Sequence, residues 1–443
     1  VSNPSSSAVK RIAVIGAGWA GMAAAVGVAE VGHQVSVFEA ARTLGGRARA
    51  VQVDDVSAGS SKPLVLDNGQ HILIGAYAEC LRLMRKVGVD PDKALLRTPL
   101  TLVFPDGGGL QLPDAAPPFD ALLGIARTRG WSVQEKFALL MRAAKWRLQG
   151  FQCSASASVA DICAGLPTRL MDEFIDPLCV SALNTLAVDS SGQVFLRVLR
   201  DSLFSGRGGS NLLLPRLDLG ALFPQAASNW LVARGSDNVQ LGRRVQSLQR
   251  EGSTWMVDGA AFDAVLLATP SAEAARLVLS AATPHDQAMH DWAACTQALQ
   301  FGAIATVYLR VRGGDNKALL AHPMTALRSS ATRPAQFVFD RFTLYGDSGV
   351  LAFVVSAFNG EREALVQQVT QQAAEQLGLH DLEHLQTLVE KRATFACTPG
   401  LKRPAMQIAP GLLACGDYVA GPYPATLEGA VLNGSAAAAL ITN

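Results

Sequence analysis

The sequence predicts an α/β chain, α+β overall, in which a Rossmann-type domain is joined to a discontinuous second domain of antiparallel sheet plus helices. Three observations predict it. A short apolar strand, a glycine turn and an Ala-rich helix open the chain at residues 11–31. A second strand, turn and helix close it at 411–440. The stretch between them passes from helical periodicity to strand alternation, and so supplies the other domain.

The first element is the apolar run Arg11–Ile15, ending at Gly16. The spacing Gly16, Gly18, Gly21 puts three glycines where a strand turns into a helix: one for the tight turn, one for approach of a pyrophosphate to the backbone, one for close helix packing. The helix from Trp19 offers its amide end, and its dipole, to that phosphate charge. A second strand delivers Glu39 at its C-terminal end, 18 positions after Gly21, where a carboxylate accepts hydrogen bonds from a ribose diol. Arg42, Gly45, Gly46 and Arg47 then form a second glycine turn flanked by guanidinium groups, a further grip on a bound dinucleotide.

A short strand at 64–66 leads into Asp67, Asn68, Gly69, Gln70 and His71, with a helix expected from about Tyr77. Residues 99–118 are rich in turn formers and open the second domain. The stretch 119–151 carries six Lys or Arg against two acids, net +4, interleaved with large apolar residues. On a helix over 134–148, Phe137, Leu140, Met141, Ala144 and Leu148 form one stripe, expected to pack inward, which leaves Leu139 and Trp146 outward beside Arg142. Two readings stand: a core helix between domains, or a basic, aromatic face lying on an anionic membrane. Residues 153–200 read as mostly helical, with Asp161, Asp176 and Asp189 as caps, and 205–211 as a linker loop rather than a second phosphate cradle. Residues 239–248, 254–257 and 262–269 read as a three-stranded meander. Residues 299–311, 336–341 and 349–358 read as strands of a broad antiparallel sheet, with a hairpin turn at 345–349, and 361–376 as a helix. At the end, a buried strand runs into Gly416 and Asp417, and the closing helix contains Glu428, Gly429 and Ala430. Aimed back at the ligand, that helix adds a second dipole.

Composition sets bounds on function. With 38 Lys and Arg against 37 Asp and Glu, the net charge is +1, and no global field argues for nucleic acid. Only 17% of residues are charged and 49% are hydrophobic, which is lean in charge and points to a greasy face. Seven scattered cysteines without a CxxC pair read as reduced thiols, and no Cys/His cluster reads as a metal site. No apolar run approaches the roughly 20 residues of a spanning helix. The polar start, VSNPSSSA, does not read as a signal sequence. The expectation is a cytoplasmic protein, with the inner face of the cell membrane as the place of any peripheral contact.

The glycine turn at Gly45 and Gly46, six residues after Glu39 and followed by Arg47, resembles that of the flavin-dependent amine oxidases and carotenoid desaturases, where it marks FAD rather than NAD. The closing Gly416-Asp417, with Glu428-Gly429-Ala430 a dozen residues later, resembles the segments that bind ribityl and pyrophosphate groups there. Further segments, GGRARA at 45–50, LDNGQHILIGAY at 66–77, DPLCVSALNT at 176–185, FLRVLRDSLF at 195–204 and YPATLEGAVLNG at 423–434, are similar to the squalene-associated FAD-dependent desaturases, the hydroxysqualene dehydroxylases of hopanoid biosynthesis. The resemblance runs over 9–441. It implies an FAD-binding domain in three parts (1–80, 226–290, 396–443) and a substrate domain in two (81–225, 291–395).

It also implies a noncovalent FAD held by Gly16, Ala17, Gly18, Gly21, Glu39, Ala40, Arg42, Gly45, Gly46, Arg47, Gly69, Gln70, His71, Val245 (against the adenine), Thr269, Gly416, Asp417, Glu428, Gly429 and Ala430. The implied reaction is reductive loss of an allylic hydroxyl from a linear C30 isoprenoid, which requires a greasy tunnel, one acid and an electron donor that the sequence does not identify. His71, in the turn the resemblance places beside the flavin, is the candidate proton donor, against a purely structural histidine. Two other classes stay open: a carotenoid-type desaturase or amine oxidase running the flavin in the oxidising direction, and a non-enzymatic isoprenoid-binding protein on the same fold. The sequence says nothing of oligomeric state.

Overall fold

A computed structural model of the chain describes residues 8–54, 63–204, 206–236, 238–313 and 316–442. The polar start up to residue 7 and Ser205, which opens the glycine-rich loop, lie outside them. The parallel sheet takes strands from three distant parts of the chain, in the order Val239–Leu241, Gln34–Glu39, Arg11–Ile15, Ala264–Leu267, Leu412–Ala414, with Gln407–Ala409 antiparallel at the edge. Its central strands are apolar on both faces, as a doubly covered parallel sheet requires. Trp19–Glu30, the first helix, is pressed against Leu427–Thr442, the last. The contact is backbone-close: a Cβ on Gly434 would sit 2.2 Å from the Ala20 carbonyl oxygen.

The second sheet is antiparallel and five-stranded, in the order Met324–Ala326, Phe337–Asp340, Val350–Phe358, Phe301–Val311, Leu382–Phe395. Its long outer strand, Leu382–Phe395, was not expected. Glu383, His384, Glu390, Lys391 and Arg392 interrupt the apolar alternation by which a strand is recognised. The expected hairpin turn at 345–349 is instead the end of a short helix, Arg341–Tyr345, stopped by Gly346 in the left-handed region.

The expected meander is rearranged. Val239–Leu241 ends at Gly242 (φ +69°) and adds to the edge of the parallel sheet, and Ala264–Leu267 enters that sheet's centre. The meander itself is Leu248–Glu251, Thr254–Val257 and Ala260–Phe262. Helix caps also differ: Ser158 caps Val159–Ile162 with Asp161 as its capping-box partner, Ser191 caps Gly192–Leu203 in place of Asp189, and Asp176 lies within a continuous helical run.

The 119–151 stretch folds as Phe119–Arg127 and Val133–Leu148, and its facing is the reverse of the expected one. Leu139 and Trp146 are buried, at 2% and 4% exposure, whereas Phe137, Met141 and Leu148 stand outward at 62%, 55% and 89%. Both stripes of this helix are apolar, so periodicity alone admits two solutions. The inward one is chosen by Trp131, Leu139 and Trp146 joining the large hydrophobic core that also holds Phe174, Leu199 and Phe337.

Candidate active site

The glycine turn is built as the motif requires. Gly16 adopts φ +107°, and a Cβ there would lie 2.5 Å from the Ala268 carbonyl oxygen. A Cβ on Gly21 would lie 1.9 Å from the Gly16 oxygen, so only glycine lets the helix start this close to the strand. Gly18 caps that helix without any side-chain hydrogen bond, which leaves its first amides free for an anion. The second glycine turn closes onto the first, with the Gly45 amide donating to the Ala17 oxygen at 3.0 Å.

Glu39 is oriented by the Ala17 amide at 2.7 Å and the Ala41 amide at 2.8 Å. Each carboxylate oxygen keeps a lone pair for a diol. Arg47 does not reach out as a grip: it donates to Asp417 at 2.5 Å and to the Ala393 oxygen at 2.9 Å, tying the last turn of the chain to the first. Arg49 holds the same loop through the Gly46 oxygen at 2.6 Å. Val245 is fixed from behind, its carbonyl accepting from Arg276 at 2.8 Å. Arg276 in turn pairs with Glu273, and that hydrogen bond, reinforced by Arg244, draws the Glu273 carboxyl down to about 2.

These pieces face one cavity of about 760 Å³. Gly16, Gly18, Glu39, Ala40, Gly45, Gly46, Arg47, Gly69, Gln70, His71, Val245, Thr269, Gly416, Asp417 and Ala430 all line it. Ala17 acts from behind through Glu39, and Gly21 through packing. Three expected contacts lie elsewhere. Arg42 rests against Gly242 and is not on the wall. Buried Glu428 accepts from the Glu79 and Cys80 amides, both at 2.9 Å, and so caps the helix Ala78–Lys86. Gly429 makes room for the preceding loop, since its Cβ would fall 1.8 Å from the Tyr423 oxygen.

His71 is on the wall, but its state does not suit the donor role. Its Nδ1 lies 2.7 Å from the Gly69 carbonyl, an acceptor only, so Nδ1 carries the proton and Nε2 the lone pair. Burial and the nearby Arg47 charge lower its pKa against that hydrogen bond, and the ring is neutral at neutral pH. A neutral Nδ1–H imidazole accepts a proton at Nε2 and has none there to give.

The cavity fits a flavin dinucleotide on its own evidence. Besides the bare helix terminus and the glycine turns, Gln70 Oε1 and Thr269 Oγ1 are buried on its wall without a hydrogen-bond partner, which a polar ligand would supply. Beyond Gln70 the wall changes character and becomes Phe174, Leu178, Val198, Ile304, Phe337 and Val354. Sequence reasoning expected a greasy tunnel but named none of these residues, because they come from helices and strands far apart in the chain. It also left Asp201 and Tyr423 out of the site. Asp201 had a readable signal, a carboxylate on the Val194, Val198, Ser202 face of a helix.

Comparison with known proteins agrees with this geometry. Residues 19–442 match the model of the flavin containing amine oxidoreductase family. The hydroxysqualene dehydroxylase of Rhodopseudomonas palustris is 30% identical over 98% of both chains. A zeta-carotene desaturase of Capsicum annuum is 36% identical, but over only 22% of this chain and 15% of its own. Among solved structures, an oxidoreductase from Methanosarcina mazei superposes with a TM-score of 0.70 at 19% identity, over 96% of this chain and 99% of that one, which shows the shared fold.

Proposed function

The chain belongs to the flavin-containing amine oxidoreductase family and is an FAD-dependent oxidoreductase, and we propose that within this family it removes the hydroxyl of hydroxysqualene to give squalene for hopanoid synthesis. The observation that carries this reading is the single cavity that runs from the dinucleotide cradle into an apolar chamber, a shape for a long hydrocarbon brought end-on or side-on to a flavin. The chemistry a bound FAD supplies is hydride transfer.

The balance is R–OH plus hydride plus a proton giving R–H plus water, with an external electron donor returning two electrons per turnover. The protein's own part is to bind and orient. Glu39 would hold the adenosine ribose, the free amides of Trp19–Glu30 would hold the pyrophosphate, and the Arg47–Asp417 pair fixes the last turn of the chain against the first. Apolar walls exclude water from the reacting carbon, so that the leaving hydroxyl, and not bulk solvent, receives the proton. His71, neutral, orients through its Gly69 bond and leaves Nε2 as an acceptor at the ring. The test is anaerobic mixing of the reduced protein with hydroxysqualene. Stoichiometric flavin reoxidation with squalene as product is expected. Turnover only in the oxidised state, with a carotene losing hydrogen, would overturn the reading.

Delivery of such a substrate favours a membrane contact. Among the described residues no helix is long and apolar enough to cross a membrane. Phe119, Leu122, Leu123, Val133, Phe137, Met141 and Leu148 are exposed along Phe119–Arg127 and Val133–Leu148, beside Arg127, Arg129, Lys136 and Lys145. A basic, apolar surface of this kind lies in the interface of an anionic leaflet. This pair of helices is the proposed peripheral contact, on the cytoplasmic face.

A further inference from the structure

The isoprenoid chamber contains one polar feature that neither cofactor binding nor hydrocarbon packing explains. Helix Gly192–Leu203 turns Val194, Val198, Asp201 and Ser202 toward the cavity, a spacing that places all four on one face. Three of them suit an apolar wall: the two valines, and Ser202, whose hydroxyl is spent on the Val198 carbonyl at 2.6 Å. Asp201 does not. Its Oδ1 accepts from Arg200 Nε at 2.6 Å, but its Oδ2 is buried and is met by no well-aligned donor. An unmet carboxylate oxygen on an apolar wall costs stability, and function is the ordinary reason to keep one.

Tyr423 faces the same place from the loop before the last helix, and also lines the cavity. Burial, and next hydrogen bonding to Asp201, raise the Tyr423 pKa, so the phenol stays protonated and is turned toward that carboxylate, ready to donate to a hydroxyl placed between them. Other polar side chains on this part of the wall are already satisfied. Ser181 donates to the Leu178 carbonyl at 3.0 Å, and Asn184 donates to Thr394 at 3.1 Å while accepting from the Ala357 amide at 2.7 Å.

We infer that Asp201 and Tyr423 form a hydroxyl-recognition site: the substrate's hydroxyl donates to Asp201 Oδ2 and accepts from the Tyr423 phenol. The inference rests on the proposed dehydroxylation and deepens it, since it says how one alcohol on a long hydrocarbon is told from the hydrocarbon itself. A site built to hydrogen-bond a hydroxyl rejects the analogue that lacks it, because the site's buried groups are then left unpaired. The product has no hydroxyl, so the same pair that holds the substrate releases what the reaction makes.

The experiment measures binding of hydroxysqualene and of squalene to the FAD-loaded protein in detergent solution, by perturbation of flavin absorbance, alongside turnover of the reduced protein. The wild-type protein is expected to prefer the alcohol by roughly 10- to 100-fold, the size of a hydrogen bond to a charged group. Asp201→Leu and Tyr423→Phe should bring that ratio toward one, with squalene bound at least as tightly as by the wild-type protein and FAD content unchanged. Asp201→Asn, which keeps an acceptor and the side chain's shape, should give an intermediate ratio and guards against a folding defect. Wild-type preference and turnover that survive in all three variants would overturn the site and leave the dehydroxylation standing. A wild-type protein that neither prefers the alcohol nor turns it over would overturn both.

Discussion

At the dinucleotide end of the cavity the wall is backbone: the Gly16 and Gly45 turns, the amides that begin Trp19–Glu30, and the carbonyls and amides that hold Glu39 and Arg47. At the apolar end it is side chain: Phe174, Leu178, Ile304, Phe337 and Val354, drawn from one helical run and three separate strands. A backbone wall needs glycine where a Cβ would strike a carbonyl oxygen, and no other residue serves. A side-chain wall needs only apolar volume, which many combinations of residues supply. The first end is therefore intolerant and local, and the second tolerant and assembled.

The largest effects test that contrast in stability against cofactor retention. Trp146→Ala, in the hydrophobic core and off the cavity wall, should cost about 3 to 5 kcal/mol yet leave folded molecules with FAD bound. Gly21→Ala should cost about 3 kcal/mol, because its Cβ would lie 1.9 Å from the Gly16 oxygen, and should also release the flavin from molecules that remain folded. Thermal unfolding together with FAD content after gel filtration separates the two. If Gly21→Ala retains its flavin, the backbone wall is more yielding than its geometry implies.

Asp67 ties the strand Leu64–Asp67, which leads into the wall at Asn68, to the antiparallel sheet. Its Oδ1 accepts from the Leu219 amide at 2.9 Å, its Oδ2 from Tyr345 at 3.2 Å, and its carbonyl from Tyr308 of the antiparallel sheet at 2.7 Å. Burial outweighs those bonds and raises its pKa from 3.8 to about 6. Because the folded pKa is the higher one, the folded chain holds a proton that the unfolded chain gives up between these values. Stability therefore falls as pH rises from about 4 to about 6 and is flat above, by up to about 3 kcal/mol from this group. Asp67→Asn keeps the acceptor geometry and should flatten the dependence of Tm on pH across that window. An unchanged profile would show that Asp67 is ionised throughout.

Glu39→Ala comes next, at about 1 to 3 kcal/mol of FAD affinity with little change in the apo-protein's melting. The carboxylate orients against two amides that backbone solvation can satisfy in its absence. Flavin titration into the apo-protein reads this, and wild-type affinity in the variant would remove Glu39 from the ribose site.

The same contrast explains what was legible in the sequence. Gly16, Gly18, Gly21, Glu39 and the second glycine turn could be read because each answers a steric or charge demand a few residues away. Glu428 was misassigned for the reason that a carboxylate near a glycine serves a ligand or a neighbouring helix equally well; only the fold brings the Ala78–Lys86 amides to it. His71 was read as a proton donor from its ordinary pKa alone, since the Gly69 carbonyl that orients its Nδ1 is a matter of loop conformation. The strand Leu382–Phe395 and the chamber it helps enclose depend on contacts between distant segments, for which no local pattern exists.

The smallest expected effect on stability tests the exposed apolar stripe of Phe119–Arg127 and Val133–Leu148. Phe137 and Leu148 are exposed at 62% and 89%, so Phe137→Ser and Leu148→Ser remove little buried apolar area, and Tm should correspond to a change within about 0.5 kcal/mol. Their effect belongs to binding. Sedimentation with vesicles containing anionic lipid should show association that weakens with added salt, as the Arg127, Arg129, Lys136 and Lys145 charges are screened, and that weakens further in the double variant. The wild-type protein left in the supernatant at low salt would rule out membrane contact by these helices. Normal sedimentation of the double variant would instead place the contact elsewhere on the molecule, with the outward stripe of Val133–Leu148 serving some other end.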